Sequence, residues 1–373
     1  MIQVFSNSHS EEEVRAIRRV LKSHWTGYGS EAKNFEKEFG ERIGNSRTLL
    51  TNTCTAALFM SMKILNIGKG DEVILPTIHF PGCVNAIMHV GAKPIFADVD
   101  EEYLNIMPSE INRLKTTKTK AILLLHYGGH PANFSEVKKA AGTIKIIEDS
   151  ANSPFSIYKN KNCGTLGDIG CYSFDAMKIL TMGDGGAITL KNNTLYDRAK
   201  VFRYLGLSPK ESSGIDSLKE KKKRWWEIDI VIPANRHTSN DILASIARIQ
   251  LKKIDSFLKR RKEVWERYQE ELGNVDWIKT PPQPLTGTTS SYYMYWLRIL
   301  NGKRDELANY LVNNGVYVTF RYQPLHLVEA FKQKGIRLPN AEKANEEILN
   351  IPLHQNLTNS QVAYIVKKIK SFR

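Results

Sequence analysis

Short apolar runs alternate with helix-like segments through the first half of the chain. TLLTN is followed by the helical pattern CTAALFMSMKIL, EVILP is followed by a helical stretch through CVNAIMHVG, and the further strand-like runs are PIFADV, AILLLHY and IKIIED. This alternation is typical of βαβ units, in which helices cross over between parallel strands. We therefore predict an α/β fold with a mostly parallel central sheet flanked by helices.

The segments on either side of this alternation predict further helices and a second domain. Ser10 and Glu13 form a capping box, so an amphipathic helix is expected to begin there. Its apolar face is predicted from Val14, Ile17 and Leu21. After residue 240 a long helical pattern leads into a mixed segment. Because 373 residues exceed the usual size of a single core, we predict a large α/β domain over 1–245 and a smaller C-terminal α+β domain over 246–373.

The chain carries a net positive charge, which solvated helix faces explain better than a specific anionic partner. Lysine and arginine number 53 against 39 aspartate and glutamate, which gives a net charge of +14. Most of these charges are interspersed with acids, as on a solvated helix face, and the dense basic run covers residues 219–226. We therefore predict no nucleic-acid partner. Between nucleic acid and an anionic small-molecule substrate, the sequence favours the small molecule.

The cysteines and the apolar runs bound the location of the chain. The four cysteines show neither a CxxC pair nor zinc-ligand spacing, so we predict no metal and no disulfide framework. No basic and then apolar segment opens the sequence, and no apolar run approaches the roughly 20 residues that span a bilayer. We predict a cytoplasmic protein without a membrane partner. The segment 205–233 is expected to be an exposed loop near the site.

Polar residues follow the predicted strands, where ligands collect in parallel sheets. The turn TNTCTAAL begins a helix, and its free N–H groups with the Thr53 and Thr55 hydroxyls could hold a phosphate, although a plain helix cap is the alternative. Asp149 ends the apolar run IKII, where a buried carboxylate needs a cation or backbone donors. Both features place candidate ligand groups at the same edge of the sheet.

Lys178 lies between the strand-like run GCYSF and the glycine-rich turn GDGG. Ser173 can add a phosphate contact, and the glycines let the backbone approach a ligand. A lysine in a dry pocket is expected to have a lowered pKa, which frees its amine to attack an aldehyde, whereas a surface lysine is the alternative. A phosphate cradle, a carboxylate and this amine are together the protein's part in pyridoxal phosphate chemistry, so we predict that cofactor.

Longer motifs carry a resemblance that covers nearly the whole chain. They are GDEVILPTIHF, VGAKPIFADVD, HYGGHPANF, IIEDSANS, GTLGDIGCYSF, KILTMGDGGAI and GIRLPNAEKANEEILNIPLHQNLT. In these motifs the chain resembles the DegT/DnrJ/EryC1/StrS family of sugar aminotransferases, which are fold type I pyridoxal phosphate enzymes. The resemblance implies that residues 1–245 bind the cofactor, that Lys178 is catalytic and forms the Schiff base with it, and that Asp149 pairs with its pyridine nitrogen.

The resemblance also implies the remaining cofactor contacts. Phe80 falls where an aromatic ring stacks on the cofactor, and Asn152 stands where glutamine or histidine commonly reaches its phenolic oxygen. The positions that bind the phosphate are Cys54, Thr55 and Ser173. Family members are usually homodimers with shared sites, so Asn235 or Arg236 of ANRHTSND is expected to reach the partner's site. Cys54 replaces a usual glycine, and DAM before Lys178 suggests a less common branch.

The reaction that the resemblance implies is a two-stage amino transfer, from an amino acid such as glutamate to a keto sugar that is nucleotide-linked in the leading hypothesis. Alternatives stay open: a sugar dehydratase on the same fold, whose relatives replace the lysine with histidine; amination of a cyclitol or a small phosphorylated ketone; and a sensor that binds the cofactor without catalysis. The predicted substrate contacts are Trp25, Tyr28, His79, Arg321, Tyr322 and His326.

Overall fold

A computed structural model describes residues 1–208, 228–333 and 335–372 of the chain. The strands in these ranges are β1 Thr48–Thr51, β2 Glu72–Pro76, β3 Lys93–Ala97, β4 Thr119–Leu125, β5 Lys145–Asp149, β6 Ile157–Tyr158, β7 Lys161–Asn162, β8 Ile169–Ser173, β9 Gly186–Leu190, β10 Ile278–Lys279, β11 Thr288–Thr289, β12 Tyr295–Ile299 and β13 Ile348–Ile351. The basic run at 219–226 lies outside the described residues, as does most of the segment 205–233.

The helices surround these strands. They are α1 Glu11–Lys22, α2 Ser30–Ile43, α3 Cys54–Ile64, α4 Gly82–His89, α5 Pro108–Leu114, α6 Phe134–Ala141, α7 Asn193–Arg203, α8 Asp241–Leu272, α9 Arg304–Asn313, α10 Pro339–Glu347 and α11 Asn359–Ser371. In the part of the chain that the structure describes, no helix combines the length and the apolar character needed to cross a membrane.

The main sheet has the order β1-β9-β8-β5-β4-β2-β3 among the described strands. Strands β3, β2, β4, β5 and β8 pair in parallel, whereas β9 is antiparallel to both of its neighbours. The central strands are buried on both faces because helices cover each side. The prediction of an α/β fold with a mostly parallel sheet is confirmed, and the carboxyl ends of its parallel strands meet at one edge.

Helix α1 shows where the sequence pattern was misleading. The predicted capping box is present, with Ser10 N donating to Glu13 Oε2 at 2.8 Å. The predicted apolar face is wrong, because Val14 and Leu21 are 45% and 54% exposed. Glu13 is buried instead, since Gln250 and Lys253 of α8 donate hydrogen bonds to its carboxylate at 2.7 and 2.9 Å. A polar contact between distant helices therefore decides which face of α1 turns inward.

The long helix α8 links two hydrophobic cores. Its residues up to Phe257 pack in the core of the main sheet, and those from Val264 onward pack against a small antiparallel sheet of order β10-β12-β13 and against α9 and α11. The division of the chain into 1–245 and 246–373 stays a proposal, and α8 crosses it. A second small antiparallel sheet, β11-β6-β7, joins the two parts of the chain.

Candidate active site

A cavity of about 470 Å³ opens at the edge where the parallel strands end. Its wall combines residues that follow β1, β2, β5 and β8 with residues from the C-terminal part of the chain. The predicted site residues that line it are Cys54, Thr55, His79, Phe80, Asp149, Asn152, Ser173, Lys178, Arg321 and Tyr322. The fold thus brings together side chains that are far apart in the sequence.

Lys178 lies in the loop between β8 and β9, and only 9% of it is exposed. Its Nζ donates a hydrogen bond to the hydroxyl of Tyr293 at 3.3 Å and lies 4.7 Å from the centre of that ring. Burial lowers the pKa of Lys178, but Tyr293, Tyr322 and Asp149 raise it, and the balance lies above the usual lysine value. The expected lowering is therefore wrong for this chain by itself, and the amine must lose a proton before it can attack a carbonyl carbon.

Asp149 is the last residue of β5 and is buried. Its Oδ1 accepts a hydrogen bond from the backbone N–H of Ala151 at 2.9 Å, and its Oδ2 lies 3.7 Å from His79 Nε2. Within the described residues, neither ring nitrogen of the fully buried His79 has a hydrogen-bond partner. Burial lowers the pKa of His79 and outweighs the raising effect of Asp149, so this histidine is neutral near pH 7. Asp149 keeps acceptor capacity for a ligand.

Helix α3 begins at the cavity wall. Thr53 is its N-cap, and the Thr53 hydroxyl accepts a hydrogen bond from Ala56 N at 3.0 Å. The first N–H groups of a helix have no partner inside the helix, and the positive end of its dipole lies there. Cys54 and Thr55 occupy these first positions. Burial raises the pKa of the Cys54 thiol, so the thiol places no negative charge beside an anion.

The other side of this helix start is formed by β8 and β9. Ser173 is the last residue of β8 and lines the cavity. Gly186 begins β9, and a Cβ at that position would lie 2.5 Å from the backbone nitrogen of Cys54. Glycine is therefore required for the sheet to pack so closely against the start of α3. The helix start, Ser173 and Gly186 form one small, positively polarised corner.

Phe80 and Asn152 supply an aromatic face and an amide. Phe80 is 52% exposed, and its ring centre lies 5.8 Å from that of Tyr322. Asn152 is buried, its backbone carbonyl accepts a hydrogen bond from the Ser291 hydroxyl at 3.0 Å, and its side-chain Oδ1 has no partner among the described residues. A buried amide oxygen without a partner is uncommon, and here the residue lines a cavity that a ligand could fill.

Three predicted substrate contacts lie outside the cavity of the same chain. Trp25 donates through its indole nitrogen to the carbonyl of Tyr28 at 3.2 Å, and the Tyr28 hydroxyl donates to Glu36 at 2.8 Å. His326 uses both ring nitrogens, toward Thr77 Oγ1 at 2.7 Å and toward Glu342 Oε1 at 3.4 Å. None of the three side chains lines the cavity, and their polar atoms are occupied within the fold.

Asn235 and Arg236 are also distant from the cavity of their own chain. Asn235 lines a separate groove beside α3, and its carbonyl accepts a hydrogen bond from Leu205 N at 3.0 Å. The Arg236 guanidinium lies 5.5 Å from the centre of the Tyr204 ring, and its Nε donates to Thr238 Oγ1 at 3.3 Å. The prediction is that one of the two residues, Asn235 or Arg236, reaches the site of a partner chain, which a single chain does not test.

Tyr293, which contacts Lys178, is not among the site residues predicted from the sequence. The run SSYYMYWLRIL was assigned only to a mixed segment, and its aromatic residues carried no periodic pattern that pointed to a site. The hydrogen bond between Lys178 and Tyr293 joins residues 115 positions apart. Local sequence patterns do not register contacts of that range. Asp175, Met177 and Asp184, which also line the cavity, were missed as individual contacts.

These groups fit pyridoxal phosphate by their chemistry. The polarised helix start suits a phosphate group, and the carboxylate of Asp149 suits a protonated ring nitrogen. The unpartnered atoms of His79 and Asn152 lie in the same wall and are left to a ligand. Lys178 is the amine available for a covalent link. The set matches the binding needs of that cofactor group by group.

Comparison with known proteins gives a consistent result. A model of the DegT/DnrJ/EryC1/StrS aminotransferase family matches residues 7–370. The chain is 37% identical over 374 residues to the dTDP-4-dehydro-2,3,6-trideoxy-D-glucose 4-aminotransferase of Saccharopolyspora spinosa, covering 99% of this chain and 96% of that protein.

Solved structures agree with this match. The aminotransferase TlmJ of Streptoalloteichus hindustanus is 41% identical, with a TM-score of 0.93 over 100% of this chain and 98% of its own. A Streptococcus pneumoniae protein solved in its PMP form, which holds the pyridoxamine state of the cofactor, is 26% identical, with a TM-score of 0.92 over 100% of this chain and 98% of its own.

Proposed function

The chain belongs to the DegT/DnrJ/EryC1/StrS aminotransferase family, and on this premise we propose that its cavity moves the amino group of an amino acid to the keto group of a nucleotide-linked sugar. It is a sugar aminotransferase that depends on pyridoxal phosphate. The observation that carries the residue assignment is the meeting of buried Lys178 and buried Asp149 in one cavity, beside the unpartnered polar atoms of His79 and Asn152.

We assign the covalent and proton-transfer roles to Lys178. Pyridoxal phosphate supplies, when bound, an aldehyde for the covalent link and a ring that takes up the electron pair released at the substrate carbon. Lys178 Nζ would form that link and, once an amino donor had replaced it, would carry the proton to and from the substrate carbon. The hydroxyl of Tyr293, at 3.3 Å, holds Nζ at the cavity wall during both tasks.

We assign the binding roles to the polar groups around the lysine. Asp149 holds a proton on the ring nitrogen, and the neutral ring of His79 excludes water from the carboxylate at 3.7 Å. The start of α3 at Cys54 and Thr55 and the Ser173 hydroxyl would bind the phosphate. Phe80 would cover the ring face, and the Asn152 amide would donate to the phenolic oxygen.

The acceptor, the assembly and the location are further parts of this proposal. The relative from S. spinosa is named for a dTDP-linked keto sugar, which supports a nucleotide-linked acceptor. Arg321, Tyr322 and His79 line the cavity and are the proposed substrate contacts within one chain. We propose a homodimer in which Asn235 or Arg236 reaches the partner subunit's cavity. Four cysteines without a disulfide, all of them at described positions, support a cytoplasmic location.

The test is a spectroscopic half-reaction. Protein loaded with pyridoxal phosphate is expected to show the visible band of the lysine-bound cofactor, to lose that band on addition of L-glutamate and to regain it with a keto-sugar nucleotide. Lys178→Ala is expected to bind the cofactor without forming the covalent band. Lys191→Ala, which changes an exposed lysine at the opposite edge of the main sheet, is the matched control and should keep it. Wild-type protein without the band would contradict the proposal.

A further inference from the structure

The cavity contains one cation, among the proposed substrate contacts, whose partner group on the substrate has not been specified. Among the described residues that line it, the basic side chains are Lys178 and Arg321. Lys178 is committed to the covalent link, so Arg321 is the cation left for a second purpose. The lining also holds the carboxylates of Asp149, Asp175 and Asp184.

The guanidinium group of Arg321 has no acidic partner within the described residues. Its Nη2 lies 3.0 Å from the sulfur of Met177, a weak acceptor, and the group sits 4.8 Å from the centre of the Phe5 ring. By contrast, the half-buried Arg248 and the buried Arg298 each contact a glutamate. Contact of the guanidinium plane with a ring leaves its N–H edge free for an anion.

The backbone of Arg321 is held in place by two buried side chains. Its N–H donates to Oδ1 of Asn350 in β13 at 2.8 Å, and its carbonyl accepts a hydrogen bond from the hydroxyl of Tyr127, which follows β4. Asn350 and Tyr127 are both fully buried. Arg321 is therefore a positioned residue, and less conformational entropy is lost when it binds an anion.

A stacked aromatic pair connects this guanidinium to the lysine. The rings of Phe5 and Tyr293 stack with centres 5.3 Å apart and planes at 21°. Arg321 lies over Phe5, and Lys178 lies over Tyr293. The two cations thus contact the two rings of one stacked aromatic pair. A small molecule that reacts at Lys178 has a fixed cation within its reach along the same wall.

We propose that Arg321 binds a carboxylate of the amino donor with a two-point hydrogen-bonded ion pair. This inference rests on the proposed function, because that reaction must bring an amino acid into the cavity. A carboxylate entering a poorly solvated site needs a cation, and the guanidinium fork matches its two oxygens. A single guanidinium balances one carboxylate, whereas three aspartates in the lining disfavour the larger negative charge of a diphosphate. The donor therefore fits this position better than the nucleotide part of the acceptor.

The experiment compares Arg321→Gln, Arg321→Lys and wild type as the protein loaded with pyridoxal phosphate. The first readout is the half-saturating L-glutamate concentration in the loss of the visible band. The second is the dissociation constant of glutarate, a dicarboxylate that has no amine and cannot react, measured by calorimetry. Calorimetry with dTDP and with GDP tests whether Arg321 instead binds the diphosphate of a nucleotide. Arg18→Gln removes the same charge from an exposed position of α1 and is the matched control.

For Arg321→Gln we expect both the glutamate half-saturation and the glutarate constant to rise about 10- to 100-fold, as for a lost charged pair. The visible band and the limiting rate should change much less, because Lys178 and Asp149 are intact. For Arg321→Lys, both constants should lie between those of wild type and Arg321→Gln. The lysine keeps the positive charge but cannot make the two-point contact of the guanidinium. The control should match wild type.

Two results would overturn the inference while leaving amino transfer intact. One is an Arg321→Gln protein that keeps its visible band and the wild-type affinity for glutamate and glutarate. The other is weakened binding of dTDP or GDP with unchanged glutarate binding, which would assign Arg321 to a diphosphate. A wild-type protein that forms no visible band, or loses none of it with any amino acid, would instead contradict the proposed function on which the inference rests.

Discussion

Strand β5 ends in two neighbouring carboxylates that face opposite sides of the sheet and have opposite surroundings. Glu148 is saturated: its oxygens accept hydrogen bonds from the backbone N–H groups of Gly164, Leu166 and Gly167 at 2.6 to 2.8 Å, and from His126 Nε2 at 3.0 Å. Asp149 accepts one hydrogen bond, from Ala151. Burial alone therefore does not separate a structural carboxylate from one that serves a ligand; the number of unmet hydrogen bonds does.

The histidines beside these carboxylates differ in the same way among the described residues: the one beside Glu148 is hydrogen-bonded at both ring nitrogens, and the one beside Asp149 is not. His126 accepts a hydrogen bond from Ala132 N at Nδ1, so the proton lies on Nε2 and is donated to Glu148. His79, beside Asp149, has neither nitrogen paired within the described part of the chain. One face of β5 is closed by the protein itself, and the other is left open to the cavity. Three substitutions test this comparison.

The largest effect is expected from Asp149→Asn. The amide keeps the hydrogen bond from Ala151 but loses the charge that holds a proton on the ring nitrogen of the cofactor. The single-turnover rate with glutamate should fall about 10²- to 10³-fold, as when a preorganised electrostatic group is removed. The free energy of unfolding should change by less than about 1 kcal/mol, because few protein contacts are lost. A large loss of stability with a normal rate would reverse the comparison.

The converse is expected from Glu148→Gln on the closed face. A glutamine must turn its NH₂ group toward backbone N–H donors, which leaves buried donors unpaired. The free energy of unfolding, measured in urea, should fall by about 3 kcal/mol. The protein that remains folded should keep the visible cofactor band and a turnover rate within a few-fold of wild type. A rate loss as large as that of Asp149→Asn would give Glu148 a direct role in the chemistry.

The smallest effect on activity is expected from His130→Phe, because His130 shows when missing hydrogen bonds do not indicate a ligand site. Both of its ring nitrogens are unpartnered, yet it is buried between Trp265, Tyr292 and Trp296 and does not line the cavity. Burial lowers the pKa of His130 from 6.5 to about 4. Missing hydrogen bonds therefore indicate a ligand only where they face a cavity, and His130 is expected to affect stability alone.

The pH dependence follows from that lowered pKa. The unfolded chain takes up a proton at this histidine near pH 6.5 and the folded chain only near pH 4, so the neutral ring's contribution is complete above 6.5 and is lost as the pH falls toward 4. Between about pH 4 and 6.5, the free energy of unfolding falls as the pH falls, and His130→Phe should reduce the slope of this fall by up to about 1.4 kcal/mol per pH unit. An unchanged slope in urea unfolding at pH 4.5 to 6.5 would show that another group dominates.

Parts of the fold and of the candidate site were predictable for identifiable reasons. Strands such as β5 carry their own signal, because a parallel strand buried on both faces is a short apolar run. Asp149 and Ser173 could be placed at one edge because the ends of parallel strands meet there. The face of α1 was not predictable, because a buried glutamate paired to α8 runs against the apolar pattern. Tyr293 was not predictable because nothing near it in the sequence marks its contact with Lys178.

The sequence by itself determined the alternation of strands and helices, the family, and the residue types that follow each strand, since these depend on patterns a few residues long and on whole motifs. Only the tertiary structure decided how those residues are used. It stacked Phe5 on Tyr293, fixed Arg321 between Tyr127 and Asn350, and saturated Glu148 while leaving Asp149 open. The physical reason is that a hydrogen bond or a ring contact is set by distance in space, and packing brings together residues that no local pattern relates.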